Sequence, residues 1–290
     1  MILADRREVI FVGGTAFSGA EVVAGLLGER PDVAGVPVPA RFHSDPRGIP
    51  ALLTGRIGLE DFVGELRGQQ VAKLVPDPKL DAAIAALRDS FHADPLESCS
   101  ELFWALIEAT LDRGAATKVV EASPGNLIEA QVLVRLVPEA RFVHVLRDGR
   151  DVATAAALEA DSAPHRLTAA IGWWADRLRE VEHGIRGEED GAPYAIPEGR
   201  FATVVLDELA GDEADAAYRD LLAGLSLDDG ESVAGVQLEP AAIGRGRWRE
   251  YARGPGAWRI SRRYVRMLRE LDGDGSQAAA ALLRTYERLG

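Results

Sequence analysis

The pattern of apolar and polar positions is clearest in residues 9–27, VIFVGGTAFSGAEVVAGLL. An apolar run from Val9 enters a glycine-rich turn, and Val22, Val23, Leu26 and Leu27 then recur at helical spacing. This predicts strand, glycine loop and helix. VAGVPV (33–38) predicts a short strand, and the Pro-, Gly- and Arg-rich stretch 39–57 a loop with one short helix. LEDFVGELRG (59–68) predicts an amphipathic helix closing on Gly68. Residues 79–91 and 97–112 predict two helices parted by Asp94-Pro95. TKVVE (117–121) reads as a strand. Ser123 as N-cap and Pro124 at the first helical position then open a helix that runs to Val137-Pro138. RFVHVL (141–146) reads as a strand that turns through Arg147–Arg150 directly into a helix. FATVVLDEL (201–209) reads as a strand, and 165–186, 212–224, 257–272 and 276–289 as helices.

Alternating strands and helices predict an α/β fold with a mostly parallel sheet covered on both faces. The chain shows no internal repeat and no linker-like stretch, so residues 1–290 are expected to form one domain. Ligands in such sheets sit beyond the carboxyl ends of the strands. Gly13, Glu121 and Arg147 fall there.

The glycine loop carries the first candidate chemistry. Gly14 to Gly19 matches the first half of a phosphate loop, G-x-x-x-x-G, but Ala20 and Glu21 follow where that motif has Lys and Ser/Thr. The backbone of Gly14, Thr15, Ala16, Phe17, Ser18 and Gly19 keeps the N–H groups of an anion cradle without its cation. Glu21 falls in the first helical turn, where a carboxylate gains ~0.3–1 kcal/mol from the helix dipole. It either fills the anion position or serves as acid or base; the alternative is a side chain turned to solvent.

Composition narrows the partners. The net charge of −13 argues against nucleic acid or an anionic membrane surface as the main partner and leaves self-association open. Cys99 is the only cysteine, which excludes an internal disulfide and a cysteine metal cluster, and no metal is expected. Met1–Glu8 carries four charges and no apolar core, unlike a secretory signal, and no apolar run reaches membrane-spanning length. A cytoplasmic location is expected.

Several side chains have two readings. Arg147 and Arg150 in RFVHVLRDGRDVATA could grip a phosphate bidentately, or pair with Asp148 and Asp151. His43, two residues after Arg41, is an acid/base candidate or a hydrogen-bonded loop residue. Glu121 is an acid/base candidate or the partner of Lys118 or a nearby arginine. Trp173 and Trp174 line an acceptor pocket or belong to the core. His144 alternates with Phe142 and Leu146, as a buried structural residue would.

A family resemblance rests on FVGGTAFSGAE, ERPDVAGVPVPARFHSDPRGIPALLTGR, EASPGN, RLVPEARFVHVLRDGRDVA, WWADRLR and GRWRE, in that order. Together they resemble bacterial sulfotransferases that use 3′-phosphoadenosine 5′-phosphosulfate (PAPS). The resemblance implies a P-loop-like α/β core whose first loop grips the 5′-phosphosulfate. It implies that Arg147 binds the 3′-phosphate, and that the basic loop with Arg245, Arg247 and Trp248 closes over the nucleotide. The chain departs from the pattern in five respects. Phe17 replaces an arginine, Ala20 and Glu21 replace two hydroxyl residues, Ala122 replaces a lysine, Ala155 replaces a serine, and Pro39-Ala40-Arg41 stands where a carboxylate base is expected. The expectation is an enzyme that modifies a small molecule on this scaffold with altered chemistry and weak or no use of PAPS. The alternatives are an active PAPS-dependent sulfotransferase and a non-catalytic binding protein.

Overall fold

The computed structural model describes residues 8–111, 116–187, 196–197, 199–227 and 238–289. The expectation for the first seven residues, and Asp112 at the end of the 97–112 helix, lie outside them. β1 (Glu8–Gly14), β2 (Val33–Gly35), β3 (Lys118–Glu121), β4 (Arg141–Leu146) and β5 (Phe201–Val205) form one sheet in the order β2-β3-β1-β4-β5. It is mostly parallel and flanked by helices. β1 runs parallel to β3 with Phe11 opposite Glu121, and β2 runs parallel to β3. Val9, Ile10, Phe11, Val12, Phe142 and Val143 are wholly buried, as a sheet covered on both faces requires. The glycine loop leads into α1 (Ala20–Gly28).

The chain divides into two compact units, each described in turn. The first comprises Met1–Gly13, Ala24–Phe142 and Gly184–Ile196. It holds α2 (Ile49–Leu53), α3 (Leu59–Gly68), α4 (Gln70–Leu74), α5 (Asp77–Ser90), α6 (Pro95–Thr110) and α7 (Ala130–Leu136). α6 starts two residues before the expected 97, because Asp94-Pro95 opens the helix instead of standing outside it: the Asp94 side chain accepts the Glu97 N–H at 3.1 Å, with Pro95 at the first position. The helix expected from Ser123 does not form there. Residues 124–129 are turns and the helix begins only at Ala130. Ser123 cannot cap, because its hydroxyl donates to Glu121 at 2.6 Å and accepts from the Arg41 N–H at 2.9 Å. The strand expected over 33–38 stops at Gly35.

The second unit comprises Gly14–Val23, Val143–His183 and Pro197–Gly290. It holds α8 (Gly149–Glu159), α9 (Leu167–Arg186, up to His183), α10 (Ala214–Gly224), α11 (Trp248–Tyr251), α12 (Pro255–Gly273) and α13 (Gln277–Leu289). Its core gathers Leu146, Val152, Trp174, Leu178, Tyr264 and Leu268. α8 opens on a glycine for a packing reason: a Cβ on Gly149 would lie 2.6 Å from the Trp174 indole. The strand expected over 201–209 ends at Val205 and continues as turns. Among the described residues no helix is long and apolar enough to cross a membrane.

Candidate functional site

The loop after β1 belongs to the second unit. A side chain on Gly14 would come within 2.4 Å of the Val145 carbonyl oxygen, so only glycine fits. The Ser18 N–H donates to the Thr15 carbonyl at 3.0 Å, and the Val22 and Val23 N–H groups donate to the Gly19 carbonyl at 3.0 and 3.2 Å. Ala16 is exposed and Thr15 buried. The Ser18 hydroxyl is buried and has no hydrogen-bond partner. Phe17 holds a left-handed φ of 64° and packs its half-buried ring against the core cluster around Leu146 and Trp174. Glu21 lies in the first turn of α1 and its side chain is exposed.

Arg147, at the end of β4, is tied to this loop. Its Nη1 donates to the Phe17 carbonyl at 3.0 Å, and its Nη2 donates to the Ile243 and Gly244 carbonyls at 2.6 and 3.2 Å. Its Nε is buried without an acceptor. Arg150 takes the ion-pair alternative. Its Nε lies 2.9 and 3.1 Å from the two Asp148 oxygens, and its Nη1 donates to Ser261 at 3.0 Å. Its guanidinium carbon lies 4.4, 4.9 and 5.1 Å from the rings of Trp248, Tyr264 and Tyr286.

Asp151 does not pair with an arginine. Its two oxygens accept the main-chain N–H groups of Gly246 (2.7 Å) and Trp248 (2.9 Å). Burial, then the charge of Asp148, pushes its carboxyl up to about 6 despite those two bonds. Burial and Asp148 likewise raise Asp207, which accepts the Asp148 N–H at 3.1 Å and lies 3.9 Å from Arg245. These groups wall a cavity of about 70 Å³ that Tyr264 and Thr285 also line. Arg247 is exposed, 3.8 Å from Glu159, and Trp248 is buried. Trp174 is 1% exposed and sits in the core beside Tyr264, while Trp173 is half-buried against the same cluster.

The first unit holds a separate polar cluster. His43 Nε2 lies 2.9 Å from Asn126 Oδ1 and 3.1 Å from Glu121 Oε2. Both neighbours are acceptors, so Nε2 carries the proton. Glu121 also accepts from the Ala40 N–H at 2.9 Å, the Ser123 hydroxyl at 2.6 Å and the Asn126 amide at 2.8 Å. Burial works to raise this carboxyl; His43 and the bonds from Ser123 and Ala40 outweigh it and hold the group below its ordinary range. The rings of Phe11, Phe42 and Phe103 surround the imidazole at 5.3–5.5 Å between centroids.

The partner expected for Glu121, Lys118 or an arginine, is corrected here. Lys118 reaches Asp32 at 3.0 Å instead, and Glu121 pairs with His43. Ser123 and Asn126 went unrecognised as members of this cluster, although EASPGN places both within five residues of Glu121. Arg41 is exposed, at a φ of 58°. His144 is buried, which pushes it down to about 4. Among the described residues no group of His, Cys, Asp or Glu is placed to hold a metal ion.

Residues 9–229 match the family described as the Sulfotransferase family. Among solved structures the chain is similar to the sulfotransferase domain of the Synechococcus PCC 7002 olefin synthase. The identity is 13%, coverage is 91% of this chain and 94% of that one, and the TM-score is 0.47. It is similar to sulfotransferase STF9 from Mycobacterium avium at 15% identity, covering 93% of this chain and 77% of that one, with a TM-score of 0.46. A sulfotransferase from Alicyclobacillus acidocaldarius is 17% identical, with 86% of this chain and 98% of that one covered and a TM-score of 0.44. No curated protein matches the chain.

Proposed function

This chain belongs to the sulfotransferase family, and from that premise we propose an enzyme, in one domain over 1–290, that modifies a small molecule with weak or no use of PAPS. The observation that carries this reading is the engagement of Arg147. Both of its terminal nitrogens donate to main-chain carbonyls, on Phe17, Ile243 and Gly244. A phosphate that takes Nη2 of this arginine has to displace the Ile243 and Gly244 carbonyls, and only Nε and one Nη1 hydrogen stand without an acceptor.

Two features of the glycine loop support weak or no use of PAPS. The loop from Gly14 to Gly19 holds no cation, and the first turn of α1 brings Glu21. At ~4 Å and an effective dielectric of 20, like charges repel by about 4 kcal/mol. Fixed positive charge is what a sulfuryl transfer needs at its leaving phosphate. Glu21 is the group we assign to acid–base work, on its place in the first turn of α1; its exposed side chain is what the solvent-turned alternative expects. His43 is enclosed by aromatic rings and bound to Glu121, which supports a structural role for it. Of the substrate-pocket candidates, Trp248 and the half-buried Trp173 lie in the second unit with the nucleotide candidate Arg247, and the exposed Arg41 lies in the first.

The unpartnered, buried Ser18 hydroxyl favours a second reading. It is a loop donor without an acceptor, as an active PAPS-dependent sulfotransferase would leave for a phosphate. Calorimetry with 3′-phosphoadenosine 5′-phosphate separates the two. No binding heat at micromolar nucleotide is the expected result, and a low-micromolar Kd would establish the second reading in its place.

A further inference from the structure

The basic loop that carries Arg245, Arg247 and Arg249 has a buried carboxylate beneath it. Gly244 and Gly246 adopt φ of 64° and 75°, left-handed conformations that glycine takes without strain. A Cβ on Gly246 would lie 2.8 Å from Arg249 Nη1, and one on Gly244 would lie 3.0 Å from Arg147 Nη2. The backbone here is therefore shaped to approach guanidinium groups closely. Its own turns supply some support: the Arg245 N–H donates to the Pro240 carbonyl at 2.9 Å and the Arg247 N–H to the Gly244 carbonyl at 3.3 Å. Two further N–H groups, of Gly246 and Trp248, leave the loop and end on the two oxygens of Asp151. These bonds join the loop to α8 over a separation of more than ninety residues.

We infer that Asp151 is the positioning residue of this loop: by clamping the Gly246 and Trp248 N–H groups it holds the Ile243 and Gly244 carbonyls on Arg147. The hold needs both carboxylate oxygens as acceptors, so an isosteric amide cannot replace it. The Asp151→Asn substitution turns one of those oxygens into an NH2 group, which would face a main-chain N–H, donor against donor. Trp248, whose N–H is one of the two bonded groups, also covers the Arg150 guanidinium at 4.4 Å. One clamp therefore sets the position of three arginines on the loop and the availability of a fourth, Arg147. The clamp stands on its own geometry; only its consequence for nucleotide binding rests on the reading proposed above.

The test is amide hydrogen exchange across residues 243–252, with nuclear magnetic resonance on the same protein. In Asp151→Asn, the Gly246 and Trp248 amides should lose at least tenfold of their protection while the β5 amides keep theirs. Ser261→Ala, which removes a neighbouring contact of Arg150, should leave both amides protected. Unchanged protection in Asp151→Asn overturns the inference. If Asp151→Asn does not fold, the unaltered protein decides. The Gly246 and Trp248 amide protons should then shift with pH in step with the Asp151 carboxyl carbon, near pH 6.

The charged and titratable groups around Asp151 are Arg147, Asp148, Arg150, Asp207, Arg245, Arg249, Tyr264 and Tyr286. A midpoint that follows the Asp148 or Asp207 carboxyl instead overturns the clamp. Calorimetry with 3′-phosphoadenosine 5′-phosphate on Asp151→Asn is read separately. A gain in affinity over the unaltered protein is expected where Arg147 is released. Absence of a gain, with the loop shown open by exchange, counts against the nucleotide reading and leaves the clamp standing.

Discussion

The imidazole of His43 and the carboxylate of Glu121 meet 3.1 Å apart with neither side chain exposed to solvent. Glu121 ends β3 and His43 lies in the loop before α2, so the pair fastens that loop to the sheet in the first unit. Replacing one member leaves the other buried and uncompensated. Glu121→Ala also orphans the Ala40 N–H and the Asn126 amide. We expect a loss of about 3–5 kcal/mol, measured by urea denaturation.

The pH dependence of the same pair has a definite sign. The folded state holds Glu121 below its ordinary pKa of 4.5, so unfolded chains take up this proton first as pH falls. The stability it confers is present above pH 4.5 and is lost as pH falls through the lower, folded value. Glu121→Gln should flatten the acid limb of a stability–pH curve. An acid limb identical to that of the unaltered protein would contradict this account.

Gly149 gives the second unit a packing test. Its Cα faces the Trp174 indole with no room for a methyl group. Gly149→Ala should lose about 1–3 kcal/mol by overpacking, and Trp174→Phe in that background should recover part of it. Thermal unfolding of the single and double variants reads both effects.

Arg150 is held by its shape as well as its charge. It forks onto Asp148 and lies among three aromatic rings. Lysine is a point charge with no planar fork. Arg150→Lys should therefore cost about 2 kcal/mol of stability, seen as a lower denaturation midpoint, although the charge is conserved.

The nucleotide reading has a gain-of-binding test. Phe17→Arg with Glu21→Thr restores a cation and removes an anion at the glycine loop. Affinity for 3′-phosphoadenosine 5′-phosphate should rise at least tenfold, about 1.4 kcal/mol, by calorimetry. Glu21→Gln alone keeps the shape and removes the charge. If it changes neither nucleotide binding nor native activity, Glu21 is a solvent-facing helix residue and has no part in the chemistry.

The sequence by itself determined the elements whose cause is local. β1 and its glycine loop, α3 and β4 follow from periodicity, from turn glycines and from runs of β-branched residues. The break before α6 follows from Asp94-Pro95, although the pair caps the helix, which begins at Pro95 and not at the expected 97, through a bond that spans three residues. The choice between partners was left to the tertiary structure, because a polar side chain bonds to whatever the fold brings within about 3 Å. Ser123 looked like a helix cap and became a bridge between Glu121 and the Arg41 N–H. His43 found Asn126, 83 residues away, and Asp151 found the Gly246 N–H, 95 residues away. Arg147 stands at its strand end as the pattern requires, yet only the folded chain sets the Phe17, Ile243 and Gly244 carbonyls around it. No spacing in the sequence encodes those contacts, since each depends on where a distant turn comes to rest.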